Sequence, residues 1–218
     1  MQPEFWHERW RVSQIGFHQS AIDRHLRAHW PRMGLAADSR VFVPLCGKSL
    51  DMLWLRDRGH CVLGVELSAI ALEAFCMEHG IAARRLPSNP FDVYEADRLR
   101  LLRGDFFALT PQLLGEAGAV YDRAALMSWA PESLAPYVRH MSALTTPGTK
   151  TLLIVLEYRQ DEMQGPPFAL HEKDIERLYA QHHEIHLLSR EDILASEARL
   201  RARGLTALHE VCYQLIRL

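Results

Sequence analysis

Apolar positions along the chain follow two periods in turn. Ile22, Leu26 and Trp30 lie four apart between charged residues, the stripe of an amphipathic helix over 18–30, and Pro31 blocks its continuation. Val41 to Leu45 is short, apolar and rich in β-branched residues, which predicts a buried strand, and Cys46-Gly47-Lys48 is a turn. Leu50, Leu53 and Trp54 give helical spacing over 49–58, closed by Gly59. Cys61 to Leu67 is a second apolar run, ending in Glu66. Ser68 can cap a third helix (Ile70, Leu72, Phe75, Cys76) that stops at Gly80. This is strand–helix–strand–helix at the lengths of a parallel βαβ unit.

The alternation continues to the C-terminus. Leu99 to Leu102 and Ala119 to Tyr121 read as short strands, the second ending in Asp122-Arg123. Leu134, Tyr137, Val138 and Met141 mark a helix over 131–144. Thr151 to Leu156 is apolar at nearly every position, so it predicts a central strand covered on both faces. A helix through Ile175, Leu178 and Tyr179, a strand at Ile185 to Leu188 and a short helix over 192–203 follow. Val211, Tyr213 and Leu215 alternate with polar residues, the pattern of a half-exposed edge strand. Seven strands with interleaved helices predict an α/β class, a doubly wound, mostly parallel seven-stranded sheet with helices on both faces. No repeat or linker divides the chain. The expectation is one domain over 1–218, with an N-terminal helical lid region over 1–35 and an α/β core over 36–218.

Composition narrows the classes of function. Lys+Arg number 25 and Asp+Glu 27 in 218 residues, so the formal charge is −2 and no basic excess points to nucleic acid. No run of about 18 apolar residues suggests a membrane span. The aromatic, charged start MQPEFWHERWR is not a secretory signal. Cys46, Cys61, Cys76 and Cys212 form no C-x-x-C pair and read as reduced thiols of a cytoplasmic protein. The 12 histidines fall on no metal-ligand pattern, so no metal is expected, and the adjacent His182-His183 read as surface residues. No coiled-coil heptad appears, and a monomer is expected.

Ligands of doubly wound sheets sit beyond the carboxyl ends of the strands. Glu66 ends the second strand 20 residues after Cys46, where a carboxylate either accepts both hydroxyls of a ribose, the reading the spacing favours, or is simply solvated at a strand end. The first turn, P-L-C-G-K-S, has one glycine rather than G-x-G-x-x-G. That speaks for a nucleoside ligand without pyrophosphate, such as S-adenosylmethionine (SAM). It speaks against the alternative, a nicotinamide-dependent oxidoreductase. Lys48 does not complete a P-loop. Asp105-Phe106 sits where a third strand end can meet an adenine, although Phe106 reads equally as core, and Phe107 reads as core. Arg123 offers either a guanidinium for a carboxylate or polarisable anion, or a salt bridge to Asp122. Cys46 is either a nucleophile beside Lys48 or a small buried hydrophobe. Phe5, Trp6, Trp10 and Phe17 either pad the domain or close over a cleft.

Several segments together carry a family likeness. W-x-x-R-W (Trp6, Arg9, Trp10), Gly16-Phe17-His18-Gln19, VFVPLCGKSLDMLWLRDRGHCVLGVELS, YDRAAL and Gly165-Pro166-Pro167-Phe168 resemble the thiopurine S-methyltransferase family from Trp6 almost to the C-terminus, in the manner of its short bacterial members. The resemblance implies a class I SAM-dependent methyltransferase fold, Rossmann-like. It implies methyl transfer to the sulfur of thiopurines and aromatic thiols, and in bacterial members to selenium and tellurium species. It places Trp10, Leu45, Glu66, Phe106 and Arg123 on SAM, and Phe17, Arg123 and Arg199 beside a small thiol, selenol or metalloid acceptor. Arg123 is the catalytic candidate. The family pattern D-R-G-A-L stands here as Asp122-Arg123-Ala124-Ala125-Leu126, an alanine in place of the glycine.

Overall fold

A computed structural model describes residues 3–218, so the first two residues of the expected lid region lie outside the described residues. The chain divides into two compact units, one running to Tyr121 and one beginning at Asp122.

The first unit opens with α1 (Pro3–Arg11) and α2 (Arg24–His29), the latter continued by one 3₁₀ turn over Trp30–Met33. Then come β1 (Arg40–Val43), α3 (Asp51–Arg56), β2 (Cys61–Glu66) and α4 (Ala69–Glu78). A hairpin of β3 (Arg84–Leu86) and β4 (Asp92–Ala96) leads into β5 (Leu99–Arg103), α5 (Pro111–Leu114) and β6 (Ala119–Arg123), whose last two residues belong to the second unit. The strand order is β3-β4-β5-β2-β1-β6. β5, β2, β1 and β6 are parallel, and the hairpin joins antiparallel at the edge.

Burial explains the parallel centre. Val41, Phe42, Leu63, Val65 and Leu101 are at most 2% exposed, as strands covered on both faces must be. Each such side chain contributes roughly 1.5–3 kcal/mol of apolar burial. The expected amphipathic helix begins later than its stripe suggests, because Asp23 Oδ1 accepts the His25 and Leu26 N–H groups and fixes the start of α2 there. Ser68 caps α4 as expected, its hydroxyl accepting the Ala71 N–H.

The second unit holds α6 (Pro131–Leu144), β7 (Lys150–Glu157), α7 (Glu172–Tyr179), β8 (His183–Asp192), α8 (Ala198–Arg201) and β9 (His209–Arg217). β9 runs antiparallel between β7 and β8. The terminal strand is therefore not an edge strand. Val211, Tyr213 and Leu215 are at most 1% exposed, and Cys212 between them is buried too. The helix expected over 192–203 shrinks to α8, because β8 extends through Asp192 to pair with His209. His183 is 8% exposed rather than a surface residue, its ring edge-on to Tyr179 at 5.2 Å. The fold class is α/β as expected, with nine strands among the described residues rather than seven; the two additions are β3 and β4.

Candidate functional site

The carboxyl ends of β1, β2 and β5 converge on Glu66. The Gly47 N–H donates to its Oε2 at 2.9 Å and the Ser68 N–H to its Oε1 at 2.8 Å. Its own carbonyl accepts the Gly104 N–H at 2.9 Å, and the Cys46 N–H donates to Val65 at 2.9 Å. One side chain thus stitches the β1 turn to the start of α4. Glu66 is 6% exposed, and burial raises its carboxyl above the usual range, against the pull of the Ser68 and Gly47 N–H groups. Each carboxylate oxygen offers more than one lone pair, so acceptor capacity remains for two hydroxyl donors.

The β1 turn is shaped by two left-handed residues, Leu45 at φ +46° and Gly47 at φ +54°. A Cβ on Gly47 would lie 3.2 Å from the Trp10 ring, so glycine suits both the backbone and the close approach. Trp10, 5% exposed, lies over this turn. Its ring meets Phe17 edge-on at 5.6 Å, and Trp6 meets Phe17 at 5.7 Å. The aromatic segment is thus α1 with its following turn; it brings Trp10 over the β1 turn that holds Leu45 and Gly47, beside the end of β2 at Glu66, with Phe17 packed on Trp10.

Asp51, at the start of α3, stabilises the same region from behind. Its Oδ2 accepts the Tyr121 hydroxyl at 2.8 Å and the Ser49 hydroxyl at 3.1 Å, and its Oδ1 accepts the Asp23 N–H at 2.9 Å. Sequence reasoning missed Asp51. Its position within L-C-G-K-S-L-D was the available signal, but its partners lie up to 70 residues away.

The remaining candidates fall as follows. Cys46 is buried with Sγ against Gly64, and burial with the neighbouring Glu66 charge pushes its thiol well up, so it is the buried hydrophobe rather than a nucleophile. Lys48 pairs with Glu78 at 2.6 Å. Phe106 is 2% exposed with its ring parallel to Phe42 at 6.5 Å. Phe107, expected in the core, is 41% exposed instead, because Asp105 caps the turn through the Phe107 N–H and sends that ring outward. Arg123 and Arg199 belong to the second unit. Arg123 is half-buried at the end of β6, and Arg199 is exposed on α8. Asp122 gives its carboxylate to Leu126 and Tyr137. Ala124 takes φ +66°, the conformation a glycine adopts freely, so the alanine leaves the left-handed turn after Arg123 in place.

Among the described residues no helix is long and apolar enough to cross a membrane. A family model described as Thiopurine S-methyltransferase (TPMT) matches residues 1–218. The chain is 49% identical over 216 residues to a thiopurine S-methyltransferase of Methylococcus capsulatus, covering 99% of this chain and 97% of that one. It is 44% identical to that of Nitrosospira multiformis, covering 99% and 98%. Among solved structures, the Burkholderia thailandensis 1,6-didemethyltoxoflavin-N1-methyltransferase, with bound 1,6-didemethyltoxoflavin and S-adenosylhomocysteine, superposes with a TM-score of 0.66 at 15% identity, over 99% of this chain and 86% of that one.

Proposed function

The chain belongs to the thiopurine S-methyltransferase family of SAM-dependent methyltransferases, and we propose that it methylates an ionised aromatic or heterocyclic thiol. The same soft-anion chemistry extends the proposal to selenium and tellurium nucleophiles. Family membership sets the nicotinamide alternative aside. The observation that carries the proposed SAM site is the buried Glu66 carboxylate beside a single-glycine turn roofed by Trp10.

The residues present fit the cofactor. Glu66 has lone pairs left for the two hydroxyls of a ribose, and the Leu45–Gly47 backbone offers close approach without phosphate-binding glycines. When bound, SAM supplies a methyl group on a positively charged sulfur, which departs as a neutral thioether. A thiolate attacks through its own lone pair, so no proton moves and no general base is needed in that step. The protein's part is alignment and exclusion of water. Trp10 and Phe17 are the proposed cover. Arg123 is the proposed catalytic residue on the acceptor side, since a guanidinium within about 4–6 Å favours the anionic form of a thiol. Leu45 and Phe106 are proposed on the SAM side, and Arg199 beside the acceptor.

Calorimetry with S-adenosylhomocysteine tests the site. Glu66→Gln is expected to weaken binding by about tenfold or more, the loss of a charged hydrogen-bond acceptor. Unchanged affinity would refute the ribose role. Transfer of label from methyl-labelled SAM to a panel of thiols, selenite and tellurite tests the acceptor class. Absence of transfer to every thiol would overturn the proposed reaction.

A further inference from the structure

Asp122 is a buried carboxylate, 1% exposed, immediately before Arg123. Its Oδ1 accepts the Leu126 N–H at 3.0 Å, and its Oδ2 accepts the Tyr137 hydroxyl from α6 at 2.7 Å. The turn closed by the first of these bonds contains Arg123 and the left-handed Ala124, whose carbonyl accepts the Ser128 hydroxyl at 2.6 Å. Tyr137 is itself immobilised, fully buried with its ring tilted against Trp129 at 5.7 Å.

Packing alone does not call for such an arrangement. A carboxylate out of water is costly unless it is fully bonded, and two apolar side chains would hold β6 to α6 without that cost. Here the carboxylate bonds to the backbone of the very turn that presents Arg123. Its other partner is a hydroxyl on a separate helix. We propose that Asp122 and Tyr137 form a buried positioning pair that fixes the direction of the Arg123 guanidinium, and through it the use of an anionic acceptor. The inference rests on the acceptor-side reading of Arg123 given above.

The titratable groups facing the carboxylate are Tyr137 from α6 and Tyr179 from α7. Burial pushes both phenols well up, so each stays protonated and Tyr137 remains a donor. Burial also raises Asp122 to about 6, so near neutral pH the ionised carboxylate is the acceptor described here. When protonated, its O–H can donate to the Tyr137 oxygen instead, and the pair persists with one bond reversed.

The test uses the full chain and a thiol acidic enough to be ionised throughout the assay range. Tyr137→Phe is expected to lower kcat/KM about tenfold, chiefly by raising KM for the thiol, while S-adenosylhomocysteine affinity stays within about twofold. Asp122→Asn keeps an acceptor for Leu126 and a donor for Tyr137, so it should retain far more activity than Asp122→Ala. The decisive comparison is Tyr137→Phe in the Arg123→Ala background, where it should cause no further loss. Equal losses with and without Arg123, or wild-type kinetics in Tyr137→Phe, would overturn the positioning pair. Wild-type kinetics in Arg123→Ala alone would instead remove the acceptor-side reading of Arg123, and the inference with it.

Discussion

Ala124 occupies a left-handed backbone, φ +66°, that costs a residue with a Cβ roughly 1–2 kcal/mol. Ala124→Gly removes that strain but loosens the unfolded chain by roughly 0.5–1 kcal/mol, so a net stabilisation of about 0.5 kcal/mol is expected. Thermal denaturation should show a small rise in Tm, and a fall would contradict the strain. Gly64 presents the opposite case. A Cβ there would lie 2.7 Å from Cys46 Sγ and 3.0 Å from Leu101 Cδ2 in the middle of the parallel strands. Gly64→Ala should therefore cost about 1–3 kcal/mol, read as a lower denaturation midpoint at unchanged m. The same scale shows what was legible in the sequence. Glu66 was readable because its spacing from the first turn is local. Asp51 and Asp122 were not, because their importance comes from burial and from hydroxyls 70 and 15 residues away.

Elements that follow a hydrophobic period were readable, and those held by other forces were not. All seven expected strands are present; most are apolar runs buried in the core, whereas the run over 185–188 falls in the largely exposed β8, where Leu187 is 46% exposed. The β3–β4 hairpin escaped notice because β3 is exposed at every position and its cross-strand contacts are charged. Arg84 pairs with Glu95 at 2.6 Å, and Arg85 lies over the Tyr94 ring at 5.3 Å. α1 was hidden by its short length and aromatic content, although Trp6 and Trp10 are one helical turn apart and Pro3 and Glu4 suit a first turn. α4 offers a test at this scale. Ser68→Ala removes the hydroxyl that caps the helix but leaves the backbone N–H that holds Glu66. A loss of about 1 kcal/mol in stability is expected. S-adenosylhomocysteine affinity should change less than about twofold, and a larger change would mean that the cap itself shapes the binding turn.

Stability as a function of pH is a property of the molecule; in acid the two buried groups with the largest shifts set opposing slopes, and the smaller shifts of buried Glu66, raised, and His60, lowered, oppose each other in the same way. Burial raises Asp122 from 3.8 to about 6. A carboxyl with a raised folded pKa binds its proton more tightly when folded. Its stabilising contribution is therefore complete below about 3.8 and is lost as the pH rises through about 6. Burial, reinforced by Arg217, lowers His183 from 6.5 to about 4. A base with a depressed folded pKa binds its proton more tightly when unfolded, so its contribution is present above about 6.5 and is lost as the pH falls toward 4. Each shift corresponds to about 3 kcal/mol. The exposed ion pairs, such as Arg11–Glu8, add little to either slope. Between about pH 4 and pH 6 the two slopes largely cancel, and urea denaturation should find a nearly flat profile for the unaltered chain. Asp122→Asn leaves the histidine slope exposed, so that variant should lose stability steadily on acidification. His183→Gln leaves the carboxyl slope exposed, so that variant should gain stability on acidification over the same interval. Parallel profiles for the two variants would show that these buried groups do not control the acid response, whereas profiles of opposite sign would trace it to one carboxyl and one imidazole.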